Sequence, residues 1–351
     1  MHLNFFVGSL IGGVALGHAT LPAVAFDTLQ VPTSRGNVPL YVPSTIEPGT
    51  SLPLVVSLHG YTGNGTEHEN YFNLRSQVDG QQFMLCVPEG TQNFSGDRFW
   101  NATDVCCGFG VDDSGYLRGL IETIIAEQPV DLDSIHVTGH SNGGFMSYRM
   151  ACDHADLVAS VASLAGATYY YPSSCTPDQP VHVLQVHGTQ DDVVQYGDSC
   201  FGFICIPGAL RTVRTWADYG QCADLEQPAG TLDLVGNLAG AETDVLRIDQ
   251  DCETGGSAEL WTINGGNHGP SFNGNFRREL VAWLLEHRRG ELPPCPADLD
   301  GNRLVDGGDL SLLISSWDEA NVALDLDGDG SIGGGDLAEL LADWGSCDEP
   351  G

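Results

Sequence analysis

From about residue 36 to residue 288 the chain alternates short β-rich runs with helical patterns, an order that points to a mostly parallel sheet flanked by helices. Leu54 to Leu58, Phe83 to Val87, Ile135 to Thr138, Val181 to Val186 and Glu259 to Ile263 read as strands. Tyr116 to Ala126, Phe145 to Cys152, Leu210 to Tyr219 and Phe276 to His287 read as helices. The alternation stops at Glu291-Leu-Pro-Pro-Cys-Pro296, a stiff proline-rich linker.

Beyond the linker an internal repeat appears. The acidic run from Asp298 to Leu310 recurs from Asp325 to Leu337, an offset that also carries Leu313, Ile314 and Trp317 onto Leu340, Leu341 and Trp344. Spacing of i, i+3, i+4, i+7 from Leu310 and Leu337 makes one apolar helix face after each acidic loop. Trp317 and Trp344 are expected to share the core of this small unit.

A formal net charge of −34 removes nucleic acid and anionic membranes as partners, because both need basic patches. Lysine is absent, and such an acidic surface suits a salty exterior where screening relieves self-repulsion. The stretch Phe5 to Leu16 is too short to span a bilayer, and with Ala23-Val24-Ala25 it reads as a leader removed on export. Eleven cysteines behind such a leader imply disulfides. Cys200 with Cys205 closes its own loop, and Cys222 with Cys252 and Cys295 with Cys347 are longer bridges. Cys106, Cys107, Cys152 and Cys175 pair among themselves in an order left open. Cys86, in an apolar strand, is the candidate for the unpaired thiol.

Gly139-His140-Ser141-Asn142-Gly143 is a G-x-S-x-G motif set between an expected strand and an expected helix. A tight strand-to-helix turn strains the serine backbone, projects its hydroxyl above the sheet and places it at a helix N-terminus, which favours negative charge. Serine needs a base, and the base needs an orienting acid, in the chain order Ser, acid, His. Asp191 and Asp192 follow one strand, and His268 follows the last in the loop Asn264-Gly265-Gly266-Asn267-His268. His59 and His187, which precede glycines, and His140, which follows one, lie at strand ends and read as turn holders, and His136 and His182 fall within strands or at their start. The oxyanion needs two donors, assigned to the backbone N–H of Asn142 and of Tyr61 in His59-Gly60-Tyr61-Thr62-Gly63. Tyr61 and Trp100 are the candidate substrate contacts.

Leu58-His59-Gly60, Pro88-Glu89-Gly90, Trp100-Asn101-Ala102, Cys106-Cys107-Gly108, Val111-Asp112-Asp113, the serine pentapeptide, His187-Gly188-Thr189-x-Asp191 and Gly265-Gly266-Asn267-His268 occur in this order. Together they resemble the polyhydroxybutyrate depolymerase and feruloyl esterase group of secreted α/β-hydrolases over roughly residues 36 to 288. The resemblance implies an α/β-hydrolase fold and cleavage of carboxylic esters on polymers or their fragments. It implies Ser141, Asp191 and His268 as nucleophile, acid and base, choosing Asp191 over Asp192, and a Cys222–Cys252 pair. The sequence departs from the group after the histidine, where Gly269-Pro270-Ser271 replaces a frequent aromatic. Asp112 and Asp113 are expected to cap the following helix.

The acidic repeats place oxygen ligands at loop positions 1, 3, 5, 7 and 12, a pattern close to a calcium loop. These are Asp298, Asp300, Asn302, the Leu304 carbonyl and Asp309, then Asp325, Asp327, Asp329, Ser331 and Asp336. No His or Cys lies inside either loop, which favours Ca²⁺ over a transition metal. An Asp at position 12 and a single helix after each loop resemble dockerin type I repeats. Gly-Gly at positions 10 and 11 of both copies leaves no side chain to read a cohesin, so attachment to another surface or scaffold protein, or a sorting role, is an equal expectation.

The reading of the whole chain is a leader over 1–25, a catalytic domain over 26–290, a linker over 291–297 and a dockerin-like calcium-binding α-helical domain over 298–348. The expected function is a secreted, extracellular serine carboxylesterase without a catalytic cofactor and without a membrane span. Feruloyl or acetyl cell-wall esters come first as substrates and polyhydroxybutyrate-type polyesters second. The alternatives are a serine peptidase of the same fold or a non-catalytic, calcium-dependent assembly protein.

Overall fold

The computed structural model describes residues 26–107, 110–290, 295–299, 304–317 and 324–346. The expected leader, most of the proline-rich linker, Asp300, Asn302 and Cys347 lie outside the described residues.

Ten strands form one sheet: β1 (Phe26–Thr33), β2 (Gly36–Pro43), β3 (Leu52–Leu58), β4 (Met84–Cys86), β5 (Val130–His140), β6 (Ser160–Leu164), β7 (His182–Gly188), β8 (Gln227–Leu232), β9 (Thr243–Ile248) and β10 (Ser257–Ile263). Their spatial order is β1-β2-β4-β3-β5-β6-β7-β10-β9-β8. The middle, from β4 through β10, is parallel. Antiparallel pairs finish both sides: β1–β2 and β2–β4 on one, β9–β10 and β8–β9 on the other. Every expected strand is present. The hairpin β1–β2 and strands β6, β8 and β9 are additions.

Helices α1 (Gly65–Phe72), α2 (Asp113–Glu127), α3 (Asn142–Asp153), α4 (Ala209–Tyr219) and α5 (Gly274–Glu286) cover the sheet. Alternation along β3 divides the core, because successive side chains point to opposite faces. Leu54 and Val56 join the cluster containing α2, α3 and α4, whereas Val55 joins the cluster holding Phe72 of α1 and Leu280 of α5. With both faces covered, the central strands β3, β6 and β7 are buried along nearly their whole length. Asp112 caps α2, its side chain accepting the Gly115 N–H at 2.8 Å.

The disulfides are Cys106–Cys107, Cys152–Cys175, Cys200–Cys205 and Cys222–Cys252. Cys86 is free and buried, and Cys295 is disulfide-bonded.

In the repeat region, α6 (Gly307–Ser315) and α7 (Gly334–Ala342) follow the two acidic loops. Ala297, Val305, Leu313, Ile332 and Leu340 form their core, with Leu310 and Leu337 packed against it. The tryptophans are not in it: Trp317 is 40% and Trp344 49% exposed. The reason is helix length. Both helices end two residues before their tryptophan, so the i+7 position never returns to the buried stripe.

Candidate active site

β5 runs into α3 through Ser141, whose φ of 54° lies where L-residues rarely sit. Tight packing against β3 imposes the turn. A Cβ on Gly143 would stand 2.1 Å from the Leu58 carbonyl oxygen, and one on Gly139 would stand 2.4 Å from the Gly143 backbone. Only glycine permits that approach. The Ser141 N–H is tied to the Leu164 carbonyl of β6 at 2.8 Å, so two neighbouring strands fix the serine above the sheet.

Asp191 and His268 arrive from the C-terminal ends of β7 and β10, two parallel neighbours on the far side of β6. Their loops are laced together: the Gln190 N–H donates to the Gly266 carbonyl at 2.8 Å, and the Gly265 N–H to Thr189 Oγ1 at 2.9 Å. His268 Nδ1 lies 2.8 Å from Asp191 Oδ2. Burial raises the Asp191 pKa, but hydrogen bonds from His187, then His268, outweigh it and hold the carboxyl below the usual carboxylate range. Asp192 makes no such contact with His268 among the described residues.

Ser141 and His268 line one cavity of about 440 Å³ with Tyr61, Tyr71, His140, Val193 and the loop from His59 to Asn64. That loop is held by His59, which accepts the Gly90 N–H at Nε2 (2.9 Å) and donates from Nδ1 to the Gly60 carbonyl (2.8 Å). The loop abuts the elbow: a Cβ on Gly60 would sit 3.5 Å from Ser141 Cβ. Neither the Tyr61 nor the Asn142 backbone N–H donates to a protein acceptor among the described residues. Tyr61 is 46% exposed at the cavity wall.

Trp100 requires correction. Expected as a substrate contact, it is fully buried. Its indole N–H donates to the His59 carbonyl at 3.0 Å, so it braces the loop from beneath and does not line the cavity. Tyr71 on α1, which belongs to no motif, does line it. Its hydroxyl donates to the Pro270 carbonyl at 3.1 Å, beside the glycine-proline turn that replaces the expected aromatic. His140 is also more than a turn holder: its Nε2–H donates to the His268 carbonyl at 2.8 Å. Burial pushes the His140 pKa down to about 4, keeping it a neutral donor.

In the second acidic loop, carboxylate oxygens of Asp325, Asp327 and Asp336 lie within 4.8 Å of one another. Asp336 is buried and accepts the N–H groups of Leu326 (2.6 Å) and Gly333 (2.7 Å). Asp329 instead accepts both the backbone N–H and the hydroxyl of Ser331. In the first loop Asp309 matches Asp336, accepting Leu299 N–H at 2.7 Å and Asp306 N–H at 2.8 Å. Asp298 donates its N–H to the Cys295 carbonyl at 3.1 Å, and Leu304 opens a two-residue strand.

A parallel sheet carrying an elbow serine, an acid and a histidine at the C-terminal ends of β5, β7 and β10 defines an α/β-hydrolase-like fold. The chain belongs to the Esterase family ("Putative esterase"), which it matches over residues 30–233. It is 26% identical over 234 residues to feruloyl esterase B of Piromyces equi, covering 64% of this chain and 41% of that protein. It is 27% identical over 149 residues to poly(3-hydroxyalkanoate) depolymerase C of Paucimonas lemoignei, covering 41% of this chain and 35% of that protein. The chain thus spans less than half the length of these relatives. An acetyl xylan esterase from Aspergillus awamori shares the fold, with a TM-score of 0.52 at 17% identity over 74% of this chain and 98% of its own.

Proposed function

We propose that the protein is a secreted serine carboxylesterase using Ser141 as nucleophile, His268 as general base and Asp191 as orienting acid. The observation that carries this reading is the 2.8 Å His268–Asp191 contact beside a serine held in an elbow on the same cavity. Ser141 Oγ attacks the ester carbonyl carbon while His268 Nε2 takes the hydroxyl proton. The N–H groups of Tyr61 and Asn142 receive the oxyanion. His268 returns the proton to the leaving alcohol, and water repeats the cycle on the acyl-serine. Disulfides suit an oxidising exterior, and four join described residues; no described helix is long and apolar enough to cross a membrane.

Feruloyl or acetyl esters of cell-wall polysaccharide are the preferred substrates, and the likeness to feruloyl esterase B of Piromyces equi supports the feruloyl part. Hydroxyalkanoate polyesters are the second reading, on the likeness to the Paucimonas enzyme. Wild type and Ser141→Ala assayed on feruloyl, acetyl, hydroxybutyrate and p-nitrophenyl esters test both points. Turnover of none by the wild type would end the esterase reading.

The C-terminal unit is proposed to be a dockerin-like calcium module that attaches the enzyme to a surface or scaffold protein. The donor set of the second loop fits a hard cation: three carboxylates converge, and Asp325 Oδ1 is buried without a hydrogen-bond partner. Asp325, Asp327 and Asp336 would hold Ca²⁺ there, supplying folding energy to the module and nothing to the ester chemistry.

A further inference from the structure

β7 carries His187, four residues before Asp191, and the polar atoms around it fix where its proton sits. The Gly166 carbonyl can only accept, and Gln185 Nε2 lies 2.8 Å from it. The amide nitrogen of Gln185 therefore faces that carbonyl, and its Oε1 faces the Tyr148 hydroxyl at 2.8 Å. The same nitrogen lies 2.9 Å from His187 Nδ1. Two donors cannot share that gap, so Nδ1 accepts and the imidazole proton is on Nε2. Nε2 in turn lies 2.8 Å from the Val194 carbonyl and 3.3 Å from Asp191 Oδ2. Tyr148, Gln185 and His187 are all buried.

We infer that His187 is a positioning residue for the catalytic acid: a second imidazole N–H, locked in one tautomer, that keeps Asp191 ionised and turned toward His268. The inference rests on the triad reading above. Asp191 has a full complement of donors. Its Oδ1 accepts the N–H groups of Val193 and Val194, both at 2.9 Å, its Oδ2 accepts His268 at 2.8 Å, and His187 Nε2 stands 3.3 Å from Oδ2 with its N–H shared with the Val194 carbonyl at 2.8 Å. No arginine pairs with it among the described residues, so His187 takes the place a cation holds in many buried carboxylates. The other titratable groups facing this assembly are His140, whose ring centroid is 4.9 Å from that of His268, and Tyr196, edge-on to His187. Without the His187 donor the carboxylate becomes more basic, binds the His268 imidazolium more strongly and moves the acid limb of the rate profile to higher pH.

The test uses His187→Gln, His187→Asn and His187→Phe in the full chain. Glutamine places its amide nitrogen near the imidazole Nε2 position, whereas asparagine reaches only the Nδ1 position. His187→Gln is expected to stay within about threefold of wild type in kcat/KM, with its acid limb unmoved. His187→Asn and His187→Phe are expected to lose about tenfold or more and to shift that limb upward by about half a pH unit or more. A glutamine variant as impaired as asparagine, or asparagine and phenylalanine variants with an unmoved limb, overturns the inference. Should those two fail to fold, ¹⁵N-histidine spectra of the wild type decide. Nδ1 of His187 must read as the unprotonated nitrogen and Nε2 as the protonated one, and the opposite tautomer or a charged ring overturns the inference. Ser141→Ala is assayed alongside. If it keeps turnover, the triad reading itself has failed. If it is inactive while His187→Asn and His187→Phe match wild type, the inference alone has failed.

Discussion

Asn142 grips both backbone polar groups of Trp100: its Oδ1 accepts the N–H at 2.7 Å and its Nδ2 donates to the carbonyl at 2.9 Å. The side chain next to the proposed nucleophile thus imitates a strand partner. Because the Trp100 indole also holds the His59 carbonyl, one chain of contacts sets the spacing between the elbow and the loop bearing Tyr61. Asn142→Ala leaves the buried Trp100 N–H without a partner and its carbonyl with only the Cys107 N–H at 3.4 Å, at a cost of about 1–3 kcal/mol. Urea denaturation should show a lower midpoint with an unchanged slope, and ester turnover should fall with it. A wild-type midpoint would mean the clamp adds nothing to stability.

Ser141→Ala should fold normally and lose about four or more powers of ten in ester turnover, since the covalent route disappears. His268→Ala should cost about as much, and the double variant little more, because the groups act as one unit. Additive losses in p-nitrophenyl ester assays would contradict a shared step.

Acid should destabilise the protein before it protonates most carboxylates. Burial pushes His136 down to about 3 and His140 and His182 down to about 4. An unfolded histidine titrates near about 6.5. Between those values the unfolded chain binds more protons than the folded one, so stability falls as pH falls. This contribution is complete above about 6.5 and is used up by about 3 to 4. Asp191, depressed in the fold, adds a further loss below the ordinary carboxylate range. Melting temperature followed by circular dichroism should drop across that window, and a flat profile from neutral to pH ~4 would contradict neutral burial of these rings.

Chelation should separate the two halves. Fourteen acidic residues against one arginine lie between Cys295 and Gly351, so the loops repel themselves without a cation, and a core of five buried side chains among the described residues is too small to offset this. Treating the full chain with a chelator should lower helical signal and speed proteolysis around residues 304–346, while hydrolysis of a small soluble ester persists. Loss of small-ester hydrolysis would place a required metal within the catalytic domain.

The parallel strands were legible because burial on both faces leaves long apolar runs, and the elbow because glycine, serine and glycine stood between two such elements. The outer strands were not. β1 reads Phe26-Asp-Thr-Leu-Gln-Val-Pro-Thr33 and β8 reads Gln227-Pro-Ala-Gly-Thr-Leu232, each largely exposed and without a clear period. Asp191 could be chosen over Asp192 only through a resemblance, and the contact with His268 gives that choice a geometric basis. Trp100 was misplaced because an aromatic beside a catalytic motif looks the same whether it faces substrate or braces a loop. His187 reads only as a turn holder for a similar reason. A histidine before a glycine shows that a turn needs support, and only its neighbours Gln185 and Gly166 reveal where its proton points.

Both rims of the sheet, β1 and β8, contain proline, Pro32 on one and Pro228 on the other, and β8 also shifts register between Pro228 and Thr231. Proline brings no N–H to a ladder, and an irregular strand bends away from a flat neighbour. A second molecule approaching edge-on meets interrupted hydrogen bonding at either rim. The sheet can therefore extend to ten strands within one chain and still offer no template for growth between chains, a protection against fibrous association that is built into its two least regular strands.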